Sequence, residues 1–384
     1  MSDIIWENYW WENIAGASHT VSDVANHLAL GQSIALFVPE DLPWRHSMRS
    51  AVESLFRKIN SSDSVFFKTL DVNDEFDSES QISRFILKKY CRDEDTILGF
   101  REKGKKSIYE YIKKNGVLNN QIIWIKGIPK SDEAEWIDFC IQYNSSSLET
   151  GLFVLELREK PHSIESSNIY STVYSEYISK NDLQLFNSLQ TNELQVNDKW
   201  KSYITSLVTE LCVTDAELAT ELIACTNFKE EEPIDVLGRL SEDYPFYLRG
   251  KDADSDHILN LIRLSDTQAI SHRIWKAQLQ SLFPLIELER FSFIAEYEEQ
   301  ITSIIEQRSP EQYNEPLTNP YDAEWGTIVY WNKHQDINGH YWLYIPEEEK
   351  RTRIRLLHEC RNNIAHASIC TLPQIIELID KPIF

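Results

Sequence analysis

Four short apolar runs, spaced through roughly the first 160 residues with helix-like stretches between them, constrain this 384-residue chain more than any other feature. The runs are 33–38 (SIALFV), 65–70 (VFFKTL), 121–125 (QIIWI) and 151–157 (GLFVLEL). Each is short, rich in β-branched and aromatic residues, and closed by a turn former or a charge, which is how a strand buried on both faces reads. Residues 47–59 carry Met48, Val52, Leu55, Phe56 and Ile59 on one helical face, and 80–91, 107–114 and 132–143 read as further helices. Strands alternating with helices predict an α/β domain built on a parallel sheet.

Downstream the pattern changes. Pro161 and the polar residues 162–168 mark a linker or domain edge. Residues 200–210, 215–224 and 256–264 have helical periodicity, and the stretch 270–307 has the strongest, with Pro284 expected to kink it or split it. Between that stretch and the C-terminal helices, 327–331 and 341–344 suggest a hairpin about Asn338-Gly339, inserted at roughly 325–344. The segmentation expected is therefore 1–160 (α/β), 161–268 (helical) and 269–384 (helical bundle with the inserted hairpin).

Composition excludes several classes. With 42% hydrophobic residues the chain is globular rather than disordered. A net charge of −23 disfavours a protein that grips nucleic acid over a wide surface, so any RNA contact has to be local. The six cysteines show no CxxC pair and no zinc spacing, which suggests free thiols in a reducing compartment and no metal or other cofactor. The acidic, aromatic N-terminus lacks the features of a signal peptide, and no apolar run is long enough for a membrane span. A cytoplasmic protein is expected.

The densest chemistry lies near the C-terminus, in Arg361-Asn362-Asn363-Ile364-Ala365-His366. Asn362 and His366 are four apart and share a helical face, and Arg361 places a permanent cation beside a group that titrates near neutrality. Such a set suits metal-independent cleavage of RNA: His366 moves a proton at the ribose 2′-OH or the leaving oxygen, and Arg361 holds the phosphate as charge builds. The same residues also allow a capping arrangement, with Asn362 or Asn363 at a helix N-terminus and His366 half-buried. Upstream, Lys350, Arg351, Arg353 and Arg355 form a local basic patch for a substrate phosphate chain, or a solvated helix face paired with Glu347 and Glu349.

The run RNNIAH, following the helix-like 347–360 and followed by the apolar segment 374–379, resembles the signature of the HEPN superfamily. The resemblance covers about the last quarter of the chain. It implies a small helical bundle, a homodimer, and a ribonuclease site at Arg361, Asn362 and His366 of the kind found in toxin and antiviral systems, some members being inactive. The N-terminal order of elements is similar to a P-loop NTPase core of the AAA or STAND type, but without its chemistry. The first strand runs into Pro39-Glu40-Asp41-Leu42-Pro43-Trp44-Arg45-His46, with no glycine and no Lys-Ser/Thr pair, and the third ends in Lys126-Gly127 instead of a metal-binding Asp. The expectation is a pseudo-ATPase module that regulates a C-terminal RNA-cleaving effector. The alternative is a non-catalytic scaffold that docks a protein partner of a larger defence complex.

Overall fold

The computed structural model describes residues 4–60, 64–77, 81–100, 107–158, 164, 167–251, 255–312 and 314–384. Two compact units divide it, 1–182 and 183–384.

The first unit opens with helices α1 (Trp6–Asn13) and α2 (Ala15–Ala29), which the sequence reading did not anticipate. There follow β1 (Ser33–Phe37), α3 (Arg45–Ile59), β2 (Phe66–Asp71), α4 (Val72–Glu75), α5 (Ile82–Tyr90), α6 (Glu94–Gly99) and α7 (Ile108–Lys114). Then come β3 (Gln121–Lys126), α8 (Glu133–Tyr143), β4 (Leu152–Leu157), β5 (Ile169–Val173) and α9 (Tyr174–Tyr177). The five strands form one parallel sheet in the order β2-β3-β4-β1-β5. The four apolar runs are thus strands of one parallel sheet, and β1 and β4, two of its three inner strands, are buried along their whole length. The fifth strand lies beyond the expected boundary at residue 160.

Side chains alternate across the sheet. Ala35, Phe37, Ile123, Ile125, Phe153 and Leu155 face a core completed by α5, α7 and α8, where Phe139 and Tyr143 pack edge to face on Phe153 and Trp136 packs edge to face on Phe139. The opposite face of the sheet carries α2 and α3. Trp124 and Glu156 point to that side, toward α3.

The second unit is helical. Its helices are α10 (Lys180–Thr191), α11 (Asp198–Cys212), α12 (Ala216–Cys225), α13 (Pro233–Leu240), α14 (Ile258–Arg263), α15 (Thr267–Ser281), α16 (Phe283–Glu296) and α17 (Glu298–Arg308). A two-stranded ribbon, β6 (Glu311–Gln312) and β7 (Glu315–Pro316), precedes α18 (Trp325–Lys333), α19 (Glu348–Ala365) and α20 (Leu372–Asp380). The long apolar stretch is cut where expected, Pro284 falling in the first turn of α16, where its missing N–H costs nothing. Helix α19 packs on α15, α16, α18 and α20. No helix among the described residues is long and apolar enough to cross a membrane.

The hairpin expected at 325–344 needs correction. Residues 327–331 belong to α18, whose buried Trp325, Ile328, Val329 and Asn332 follow helical spacing. The β-branched and aromatic composition of the run suggested a strand, and tertiary burial of this stripe overrode it. The turn is real: Gly339 has φ +83°, and one bridge joins Gln335 to Tyr341.

Candidate functional site

Helix α19 carries the RNNIAH run in its last turn, so neither asparagine caps a helix start. The helix begins at a run of carboxylates, Glu348 and Glu349, which suit the positive end of the helix dipole. It buries Arg353, Ile354, Leu357, Cys360 and Ile364, a stripe at helical spacing. It ends in a Schellman turn. Ser368 N–H donates to Asn363 O at 2.8 Å and Ala367 N–H to Ile364 O at 3.3 Å, with Ala367 in the left-handed region at φ +56°. His366 is the C-cap of this turn and is exposed. Its backbone N–H bonds Asn362 O at 3.0 Å, while its ring makes no hydrogen bond or ion pair among the described residues.

Arg361 points the other way. Arg361 and His366 are five residues apart, about 140° around a helix. The Arg361 Nη2 donates to Glu324 Oε2 at 2.9 Å and Nη1 to Asn362 Oδ1 at 3.4 Å. Glu324 is the N-cap of α18. Beside this pair opens a cleft of about 290 Å³, lined by Phe283, Glu287, Arg290, Glu324, Trp325 and Arg361. Arg290 is held there by Glu287 at 2.8 Å and by the Tyr321 and Ala323 carbonyls. The partly exposed guanidinium of Arg361 is therefore within reach of a ligand that competes with Glu324.

His358, one turn before Asn362, joins the set. Asn362 Nδ2 donates to His358 Nε2 at 2.9 Å, which places the ring proton on Nδ1. The imidazole lies close against Gly326 of α18, where an added Cβ would sit 3.5 Å from Nε2. Burial, then the positive charges of Lys333 and Arg361, push its pKa down, so the ring is neutral at neutral pH. The structure thus gathers Arg361, Asn362, His358 and Glu324 on one side of α19 and leaves His366 at its exposed end. Sequence reasoning missed His358, although its spacing from Asn362 is the same as that of His366. Glu324 carried no local signal, because only the docking of α18 brings it near.

The basic patch disperses. Arg353 is 3% exposed, and its guanidinium spans Glu289 of α16, through Nε at 2.9 Å and through Nη2, and the Glu377 and Leu378 carbonyls at the end of α20. Arg351 holds the Ile345 and Pro346 carbonyls, both at 2.6 Å, and Lys350 pairs with Glu296. Arg355 is exposed.

In the first unit, the ends of β1 and β4 meet a network that fills the region where the loop after β1 turns into α3. Arg45 Nη1 donates to the buried Glu156 at 2.7 Å, and its Nη2 to Pro39 O at 3.0 Å. Arg49 and the Trp124 indole share the same carboxylate, at 3.3 and 2.5 Å. At the ends of β2 and β3, Lys126 pairs with Asp71 at 2.5 Å. All six cysteines are free thiols. No protein-family model and no curated protein matches this chain.

Proposed function

We propose that the second unit is a metal-independent RNA endonuclease of HEPN type, acting through Arg361, Asn362 and His366 in a toxin or antiviral setting, with the first unit as a regulatory module. One observation carries the reading: a partly exposed guanidinium beside an open cleft and an exposed imidazole, unengaged among the described residues, are both presented by the end of α19. The packing of α15, α16, α18 and α20 around α19 is compatible with the helical bundle such a site requires. Arg361 stabilises charge on the scissile phosphate, displacing Glu324 as it does so. His366 exchanges the 2′-OH proton or protonates the leaving 5′-oxygen. Incubation of total RNA with the purified protein, resolved on a denaturing gel, tests the activity directly, and an intact RNA profile under all conditions refutes it.

One imidazole supplies either an acid or a base, and phosphodiester cleavage uses both. The reading therefore calls for a homodimer that brings two C-terminal ends of α19 together across an isologous interface. Light scattering at micromolar concentration should report twice the chain mass. A strict monomer that still cleaves RNA would sink the composite site.

The parallel sheet of the first unit supports the likeness to a P-loop NTPase core, whereas its side chains argue against nucleotide chemistry. Arg45 and Glu156 occupy the mouth between β1 and β4, and no Lys-Ser/Thr pair follows β1. Calorimetry with ATP and magnesium should show no binding in the micromolar range. Binding of that strength coupled to phosphate release would overturn the pseudo-ATPase assignment. A second reading, a non-catalytic module docking a partner in a defence complex, is favoured by one fact. Arg361, Arg353 and Lys350 are all paired to carboxylates of the chain itself.

A further inference from the structure

The surface of α18 that begins at the candidate site does not end there. Gly326 lies against His358, Tyr330 is one turn further on, and His334 caps the helix end. These three positions of α18 are four apart and share one helical stripe, spanning about 12 Å at 1.5 Å per residue. The Tyr330 and His334 rings stack with centroids 3.8 Å apart, and Trp342 meets both edge-on at 5.9 and 6.0 Å. Arg308 lies over the Trp342 ring at 4.4 Å. Lys333 sits beside the stripe, close enough to His358 to depress its pKa. Tyr330 is 46% exposed, so its ring is open to solvent. Next to Trp342 a second cleft of about 290 Å³ presents Gln300, Ser303 and Gln307, with Glu299 as its carboxylate. Asp336 lies 3.8 Å from Arg308.

We propose that Tyr330, His334 and Trp342, flanked by Arg308 and Lys333, form a stacking platform for single-stranded RNA that leads the strand to Arg361. The proposal rests on the ribonuclease reading of that site. Aromatic faces accept any base, two cations track the backbone, and amides beside the indole suit base edges. A chain of net charge −23 cannot hold RNA by charge alone, and stacking supplies the affinity that phosphate contacts do not. Continuity decides for RNA over a protein partner: the stripe and the candidate site share one helix, and Lys333 belongs to both.

The test uses the full chain carrying His366→Ala, to prevent cleavage, and a fluorescein-labelled single-stranded oligoribonucleotide read by anisotropy, with the matching RNA duplex as comparison. Tyr330→Ala and Trp342→Ala should each weaken single-strand binding about tenfold, the loss of one stacked base. Trp342→Phe should retain most of the affinity, which separates loss of a ring from loss of the fold. Arg308→Gln should weaken binding and flatten its salt dependence, and the duplex should bind less tightly than the single strand. Unchanged affinity in both aromatic variants, equal binding of the duplex, or no binding by the parent chain overturns the platform. If the platform variants lose binding but the His366-containing chain leaves RNA intact, the platform stands and the nuclease reading falls. If that chain cleaves RNA and the variants bind normally, the nuclease stands and the platform falls.

Discussion

On the ribonuclease reading, replacing His366 or Arg361 with alanine should abolish RNA cleavage and leave the fold intact. His366 is exposed at the C-cap of α19, and the turn that it closes is held by backbone bonds of Ala367 and Ser368, none of which uses the imidazole. Its loss should cost well under about 1 kcal/mol of stability, as for other surface changes. Among the described residues Arg361 is tied to Glu324 and Asn362, and a partly exposed pair of this kind contributes roughly 0–1 kcal/mol. Against that stands a loss of about 10²–10⁴-fold in rate for the proton-transfer group and about 10²–10³-fold for the group that meets developing charge. Arg361→Lys should not restore cleavage, because a point charge lacks the forked geometry for phosphate. Asn362→Ala should reduce the rate less, because Asn362 acts through Arg361, whose Nη1 donates to its Oδ1. Cleavage should persist in EDTA and leave a 2′,3′-cyclic phosphate, which phosphatase sensitivity and gel mobility report. Variants that are folded and as active as the parent would place the chemistry elsewhere; variants that unfold would make these residues packing groups.

The linear run at 361–366 was legible because it lies on one helix turn, where spacing determines azimuth. What surrounds it was not. Glu324 is brought to Arg361 by the packing of α18 on α19, and no periodicity reports a contact across 37 residues. The strands β1, β3 and β4 could be read from continuous apolar runs, since a sheet covered on both faces demands them. The strand β5 escaped because Ile169-Tyr170-Ser171-Thr172-Val173 lies at the sheet edge with its middle residues only half-covered. In 327–331 residue type pointed to a strand and burial period to a helix, and the helix won because Trp325, Ile328 and Val329 dock on their neighbours. Formal charge misled most at the basic patch: four cations in six residues look alike in sequence, yet one is buried and two are bonded to the chain.

Arg353 is the residue where that difference is measurable, and its removal should produce a large loss of stability in the second unit. Its guanidinium is buried against Glu289 and also satisfies two carbonyls at the C-terminal end of α20, groups that a helix end otherwise leaves to water. One side chain thus fastens α19, α16 and α20. Removing either partner of such a buried pair strands the other charge, at a cost of about 3–5 kcal/mol. Arg353→Ala and Glu289→Ala should each lower the unfolding free energy by that amount in denaturant titrations. The double replacement Arg353→Met with Glu289→Leu removes both charges together and should recover most of the loss, because the desolvation penalty disappears with the pair. Arg355→Ala, two residues on and exposed, should stay within about 0.5 kcal/mol of the parent. The comparison separates two roles for the same cation. If Arg353→Ala proves neutral for stability and weakens RNA binding, Arg353 is a substrate contact and the clamp does not exist. If stability falls while the double variant keeps its RNA affinity, the arginine belongs to the scaffold that presents the end of α19, and local RNA affinity comes from elsewhere on the surface.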